Sequence, residues 1–128
     1  GAKLANPDNL IVATEGDGAY MFSNPVSAHY ISAKHNLPFL TVIFNNQHWE
    51  AVKRATHKMY PDGYAKKSSV TPLTNLEPSP HFEKIVAASD GYGEKVTNPE
   101  EVPKALERGI NSVIIEKRQA VLNIICGE

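Results

Sequence analysis

The chain has 128 residues, of which 41% are hydrophobic and 21% charged, and 13 basic and 14 acidic side chains give a net charge of -1. This length suits one globular domain, and the balanced charge offers no basic surface for nucleic acid or anionic lipid. The single cysteine, Cys126, excludes a disulfide framework and a cysteine-built zinc site, and it is typical of a reducing compartment. No apolar run is long enough to span a membrane, and the first residues lack a signal-peptide pattern. We therefore expect a cytoplasmic protein that binds neither nucleic acid nor membranes.

Two apolar runs in the first half of the chain, Leu10–Thr14 and Phe39–Phe44, are rich in β-branched residues and predict buried strands of a parallel sheet. A helix is predicted between them over residues 25–35, with Ser23 or Asn24 as its N-cap. The apolar residues expected to share one face of this helix are Val26, Tyr30 and Ala33.

The second half of the chain predicts further helices and strands behind a long loop. The loop covers residues 59–80, and a loop of this length in a compact domain is usually functional or covers a site. Helices are predicted to begin at Pro80 and at Asn98, and strands to cover 92–97 and 119–126. This alternation predicts an α/β fold, an open and mostly parallel sheet with helices on both faces. The apolar residues expected on the inner faces of the last two helices are Phe82, Ile85, Val86, Val102, Leu106 and Ile110.

Polar clusters follow both of the first two predicted strands, EGDG at residues 15–18 and NNQH at residues 45–48. Ligands of open α/β sheets bind beyond the carboxyl ends of the strands. If the two strands are neighbours, Asp17 and Asn46 therefore converge at one edge of the sheet. Carboxylate and amide oxygens suit Mg²⁺ or Ca²⁺, and the glycines beside Asp17 let the backbone approach a large anion. The pattern thus indicates a site for Mg²⁺ and a diphosphate.

The spacing of these clusters resembles that of a known cofactor motif. Gly16-Asp17-Gly18 and Asn45-Asn46 are separated by residues 19–44, which resembles the thiamine diphosphate motif of GDG, a spacer in the mid-twenties and NN. Essentially the whole chain, including the segments GDGAYMFSNP, VIFNNQHW and MYPDGYA, is similar to the C-terminal domain of acetolactate synthase-like and benzoylformate decarboxylase-like enzymes. The resemblance implies an enzyme, a lyase or transferase, that decarboxylates or ligates 2-oxo acids with thiamine diphosphate and Mg²⁺. Val52 stands where some pyruvate decarboxylases carry a catalytic glutamate, and it favours the synthase and benzoylformate branches.

The resemblance also implies roles for individual residues. Asp17 would bind Mg²⁺ through its carboxylate, Asn46 through its side-chain oxygen and His48 through its backbone carbonyl. Backbone N–H groups near the glycines and near Trp49 would bind the diphosphate. Ala19 is a departure, since many relatives have a serine there whose hydroxyl contacts the diphosphate. The implied cofactor-binding residues are Gly16, Asp17, Gly18, Ala19, Asn46, His48 and Trp49.

The same resemblance implies that the chain does not act by itself. Gly1–Ala5 has the pattern of the last turn of a helix, which predicts a C-terminal fragment of a longer multidomain chain. The glutamate that activates the cofactor would lie on a pyrimidine-binding domain supplied by a partner subunit, in a homodimer or homotetramer. We therefore expect no catalytic residue among these 128 residues and no activity from the fragment alone.

Two other functions are compatible with parts of the pattern. A Rossmann-like nucleotide-binding domain would need a third glycine in a G-x-G-x-x-G loop, and Tyr20-Met21 follows Gly18 instead. A non-catalytic module that only binds a ligand or assembles with other chains would need no residues beyond those already described.

Several polar residues have a structural interpretation beside the functional one. Asp17 taken alone is typical of a turn between two glycines. Asn45 is interpreted as a packing or turn residue and Glu15 as a carboxylate at the rim of the site. The five histidines are interpreted as surface or helix residues, because they share no metal-ligand spacing.

Overall fold

Within residues 1–68, 71 and 73–127, which a computed structural model describes, parallel strands form one four-stranded sheet. The order across the sheet is β1-β2-β4-β3, and every neighbouring pair is parallel. This confirms the predicted α/β fold with an open parallel sheet. The strands are β1 (Val12–Gly16), β2 (Leu40–Asn45), β3 (Tyr92–Val96) and β4 (Ala120–Ile125).

Helices connect the strands and cover both faces of the sheet. The α-helices are α1 (Ala2–Ala5), α2 (Asp17–Phe22), α3 (Pro25–Lys34), α4 (Glu50–Met59), α5 (Tyr64–Lys67) and α6 (Val102–Ile114). Two 3-10 helices cover Phe82–Ser89 and Pro99–Glu101. The predicted start at Asn98 is confirmed, because the Asn98 side chain accepts a hydrogen bond from Glu100 N–H at 3.0 Å. Among the described residues no helix is long and apolar enough to cross a membrane.

One face of the sheet packs against α6 mainly through apolar side chains, and an ion pair between Glu94 of β3 and Arg108 of α6 also joins the two. Leu40 and Val42 of β2 and Leu122 and Ile124 of β4 form a cluster with buried residues of α6. Those buried residues of α6 are Ala105 and Val113, whereas the predicted Val102, Leu106 and Ile110 flank them and are partly buried. We call this the apolar face.

The opposite face of the sheet packs against α2, α3 and the 3-10 helix Phe82–Ser89. Its apolar cluster contains Ile43 of β2 and Val121 of β4 together with Tyr20, Phe82 and Val86. Successive side chains of a strand point to opposite faces, so Asn45 and Asn123 lie on this face too, and both are fully buried. We call it the polar face.

The orientation of α3 differs from the prediction. Val26 and Tyr30 are more than half exposed, while Pro25, His29 and Ser32 are buried. His29 can enter the interior because its ring nitrogens find partners there. Asn24, one of the two predicted N-caps, is the N-cap residue of α3, but its side chain makes no capping hydrogen bond, and the Ser23 hydroxyl donates to the Tyr20 carbonyl.

The chain divides into two compact units. The first combines Gly1–Asn46 with the chain from Pro80 onward and contains the sheet, while the second is Gln47–Ser79. In the second unit His48 and Asn75 pair in a single antiparallel bridge. Its predicted long loop contains the short helix α5, and residues 69, 70 and 72 of that loop lie outside the described residues.

Candidate functional site

The structure brings Asp17 and Asn46 to the same edge of the sheet. β1 and β2 are hydrogen-bonded neighbours, and Gly16, the last residue of β1, pairs with Phe44 of β2. Asp17 therefore follows the end of one strand directly, and Asn46 follows the end of the next strand. The prediction that both lie beyond the carboxyl ends of neighbouring strands is confirmed.

Asp17 is the first residue of α2 and only 3% exposed. Its Oδ1 accepts a hydrogen bond from Gly18 N–H at 2.8 Å, whereas its buried Oδ2 receives none from the described residues. A buried carboxylate oxygen without a donor is costly, and a bound cation removes that cost. The donor chemistry at Asp17 therefore fits a hard metal ion.

Asn46 is half-buried and immediately follows Asn45, which is wholly buried at the end of β2. The Asn45 side chain donates to Asn123 Oδ1 at 3.0 Å, and its carbonyl accepts from Cys126 N–H at 2.8 Å. Asn45 is thus a packing residue, as interpreted from the sequence. It attaches the end of β2 to β4, one residue before the candidate ligand.

The other proposed contacts to a diphosphate stay predictions. Gly16 borders open space, because a Cβ built there would meet no atom within 4 Å. Ala19 is exposed. Gly18 N–H donates to Asp17, and Trp49 N–H donates to the Thr74 carbonyl at 2.9 Å. Either N–H would have to exchange its hydrogen bond in order to bind a diphosphate.

His48 and Trp49 lie in the second unit, Gln47–Ser79, directly after its first residue. Besides the bridge between His48 and Asn75, Leu76 N–H donates to the Gln47 carbonyl at 2.8 Å. These hydrogen bonds fix the backbone of Gln47 and His48 within the second unit. The His48 carbonyl stays a predicted ligand.

A buried hydrogen-bond network that the sequence did not predict holds α2 and α3 to the polar face. Gln119 Nε2 donates to the His29 carbonyl at 2.8 Å, so Gln119 Oε1 accepts from His29 Nδ1 at 2.7 Å. His29 Nε2 then accepts from the Tyr20 hydroxyl at 2.7 Å. Burial lowers the pKa of His29, and burial together with the charge of Glu15 raises the pKa of Tyr20. The network is therefore neutral, and it lies three residues from Asp17 along α2.

A second buried chain of hydrogen bonds begins at Asn45. Asn123 Nδ2 donates to Glu83 Oε2 at 2.8 Å, and His81 Nδ1 lies 2.9 Å from Glu83 Oε1. Burial opposes ionisation of Glu83, but hydrogen bonds from Asn123, from its own backbone and from His81 hold its pKa below the usual range. Glu83 is thus a buried carboxylate that stays ionised.

The sequence contains a signal for the second network. Asn123 interrupts the apolar run AVLNIIC, and Glu83 lies beside Phe82 within the apolar segment FEKIVAA. A polar residue inside such a run is buried together with its neighbours and requires a partner.

The available oxygen donors limit which metal the site can hold. Within the described part of the chain, no group of three or more His, Cys, Asp or Glu side chains lies together. A metal at Asp17 and Asn46 would complete its coordination with carbonyl, water or phosphate oxygens. This set suits Mg²⁺, which keeps waters and phosphate oxygens in its coordination shell.

Comparisons with known proteins agree with the geometry. Residues 1–124 match the model of the family described as "Thiamine pyrophosphate enzyme, C-terminal TPP binding domain". The chain is 33% identical over 124 residues to the acetolactate synthase large subunit of Mycobacterium tuberculosis, covering 97% of this chain and 20% of the relative. It is 31% identical over 126 residues to the sulfoacetaldehyde acetyltransferase of Alcaligenes xylosoxydans, covering 98% and 19%. The chain thus spans about a fifth of the length of the curated relatives it matches.

A solved structure shows the same fold. The thiamine diphosphate-dependent 4-hydroxybenzoylformate decarboxylase of Rhodococcus jostii RHA1 is similar with a TM-score of 0.71 and 17% identity. The similarity covers 98% of this chain and 21% of that chain. At this identity the likeness concerns the fold.

Proposed function

The chain belongs to the thiamine pyrophosphate enzymes, whose C-terminal TPP-binding domain it matches over residues 1–124, and we propose that it holds the diphosphate of that cofactor through Mg²⁺. Asp17 Oδ2 carries the proposal, since it is a buried carboxylate oxygen that accepts no hydrogen bond from the described residues. It lies at the edge of the sheet where ligands of this fold class bind.

The contribution of this chain is to bind and orient the cofactor. Asp17 and Asn46 would bind Mg²⁺ with their side-chain oxygens, and His48 would add its backbone carbonyl. The N–H groups near Gly18, Ala19 and Trp49 would bind diphosphate oxygens, and the open space beside Gly16 leaves room for the anion. When bound, thiamine diphosphate supplies the electron sink for decarboxylation or ligation of 2-oxo acids.

We propose that the complete enzyme is acetolactate synthase-like and cytoplasmic. The similarity to an acetolactate synthase over 97% of this chain supports the reaction class. No catalytic residue is assigned to this chain, and we expect the fragment alone to be inactive.

The partner we propose is a pyrimidine-binding domain from another subunit of a homo-oligomer. Apolar side chains on the outward side of α2 and α3 support such a partner, because Phe22 is 69% exposed and Val26 and Tyr30 are more than half exposed. Val26 and Tyr30 share one side of α3 because they are four residues apart, and exposed apolar side chains that lie together usually mark an interaction site.

Calorimetric titration of the full-length protein with thiamine diphosphate, with and without Mg²⁺, tests the proposal. We expect Mg²⁺-dependent binding in the wild type and about a hundredfold or greater loss in Asp17→Ala, because a charged ligand of the metal is removed. Asp8→Ala is the matched control, since it removes an exposed aspartate outside the proposed cofactor site. Equal binding without metal, or by Asp17→Ala, would exclude this site.

A further inference from the structure

The buried chain from Glu83 to Asn45 has a fixed direction. An ionised carboxylate only accepts hydrogen bonds, so the Asn123 amide must turn its NH₂ group toward Glu83. Asn123 Oδ1 therefore faces Asn45 and accepts from Asn45 Nδ2. The charge of Glu83 thus determines which end of the Asn45 amide points toward β4.

This chain is attached to the backbone at the edge of the sheet. Asn45 accepts Cys126 N–H through its own carbonyl, in addition to its side-chain bond to Asn123. Both bonds join the end of β2 to β4, and Asn46 is the next residue. A rotation of the Asn45 side chain would release one of the two bonds directly beside Asn46.

Stability alone does not require a charge at this position. Burial of an ionised group is costly, and replacement of buried ionic groups by apolar residues is often neutral or stabilising. Glu83 is 8% exposed and Asn45 and Asn123 are fully buried, yet all three are polar. In contrast, residues that hydrogen-bond to metal ligands and so orient them are commonly carboxylates and amides.

We propose that Glu83 is a positioning residue for the metal ligand Asn46 and acts through Asn123 and Asn45. The inference rests on the proposed function, because it requires a cation at Asn46. Glu83 itself contacts neither cofactor nor metal. It fixes the amide orientation at the end of β2, and this orientation holds Asn46 in the geometry that binds the cation.

An exchange of the amide and the carboxylate tests this directly. Asn123→Asp places a second carboxylate against Glu83, and while both are ionised neither side chain can donate to the other. The double variant Glu83→Gln/Asn123→Asp restores one amide and one carboxylate. The amide introduced at position 83 can donate to the carboxylate introduced at position 123, and that carboxylate can accept from Asn45. Asn45 then donates to the side chain at position 123 as it does in the wild type, and the negative charge lies at position 123 instead of position 83.

The measurement is the affinity of the full-length protein for Mn²⁺ with thiamine diphosphate present, read from the electron paramagnetic resonance signal of free Mn²⁺. We expect about a tenfold weaker affinity in Asn123→Asp and recovery to within about threefold in the double variant. Urea unfolding of each variant separates a loss of folded protein from a loss of affinity. Ser112→Ala is the control, because it removes the hydroxyl of a buried residue of α6 and its hydrogen bond to Glu116, and we expect no change in affinity.

Each outcome decides a different claim. If the wild type binds no Mn²⁺ with thiamine diphosphate, the proposed function fails. If the wild type binds and the folded variants bind equally well, or if the double variant does not recover, the role of Glu83 is overturned. If Asn123→Asp does not fold, Glu83→Gln decides, because a glutamine can present either Oε1 or Nε2 to Asn123 and therefore no longer fixes the direction of the chain. We expect about threefold weaker affinity there, and an unchanged affinity overturns the proposal.

Discussion

The two faces of the sheet differ in their buried hydrogen bonds between side chains. The apolar face joins β2 and β4 to α6 through residues such as Leu40, Leu122 and Val113. The polar face also has an apolar cluster, but two hydrogen-bond networks cross it, one centred on His29 and one on Asn123. Both faces are buried, so the difference lies in their chemistry and not in their exposure.

The difference corresponds to the position of the candidate ligands. The His29 network holds Tyr20 of α2, the helix that begins with Asp17. The Asn123 chain holds Asn45, which precedes Asn46. Hydrogen bonds have preferred angles, whereas apolar contacts are non-directional. We propose that the apolar face mainly stabilises the sheet and that the polar face sets the orientation of the two candidate ligands.

The strongest test of the apolar face is Leu122→Ala. Leu122 is fully buried, and its truncation creates a cavity, so we expect the free energy of unfolding to fall by about 3 kcal/mol. The cofactor affinity of the folded protein should not change. Urea unfolding and calorimetry measure the two quantities, and Leu4→Ala, at a 70% exposed position, is the matched control. If the cofactor affinity of the folded protein falls together with the free energy of unfolding, the two faces do not have separate roles.

A pair of glycine substitutions compares how closely neighbouring atoms pack against a glycine on each face. A Cβ on Gly93 would overlap the Glu83 carbonyl oxygen, so the 3-10 helix would have to move. On the apolar face, a Cβ on Gly109 would meet the flexible end of Leu40 at 3.0 Å. We expect Gly93→Ala to lower the free energy of unfolding by about 2 kcal/mol and Gly109→Ala to change it by less than about 1 kcal/mol. Equal effects in urea unfolding would argue against a rigid polar face.

The pH dependence of stability tests the neutral His29 network. Because burial lowers the pKa of His29, the unfolded chain takes up a proton below about pH 6.5 while the folded protein does not. Stability should therefore fall as the pH drops from about 6.5 toward the folded pKa, by at most about 1.4 kcal/mol per pH unit. His29→Gln should show a smaller slope in urea unfolding at pH 7, 6 and 5. An identical slope in the variant would show that His29 is not the group responsible.

The fold and the edge of the sheet were predictable because they depend on local patterns. Apolar β-branched runs predicted both N-terminal strands, and the clusters around Asp17 and Asn46 followed from where those strands end. The observed β1 is Val12–Gly16 instead of Leu10–Thr14, because hydrogen-bonded pairing with β2 determines which residues form the strand. Local sequence does not contain that pairing.

The polar face could not be predicted in the same way. Glu83 and His29 have side chains that are usually exposed, and they are buried here because partners distant in sequence meet them. His29 bonds to Gln119 and Glu83 to Asn123. The predicted orientation of α3 is wrong for a related reason. The apolar residues of α3 are not confined to one side of the helix, so hydrophobic periodicity does not show which side is buried. Such pairings follow from tertiary structure and not from hydrophobic periodicity.

Anomalous diffraction from crystals of the full-length protein grown with Mn²⁺ and thiamine diphosphate would test the central claim most directly. We expect a manganese peak bonded to Asp17 Oδ2 and to the side-chain oxygen of Asn46, at about 2.1 Å from each. Bound cofactor with the metal peak on other residues, or with no peak at this edge of the sheet, would contradict it.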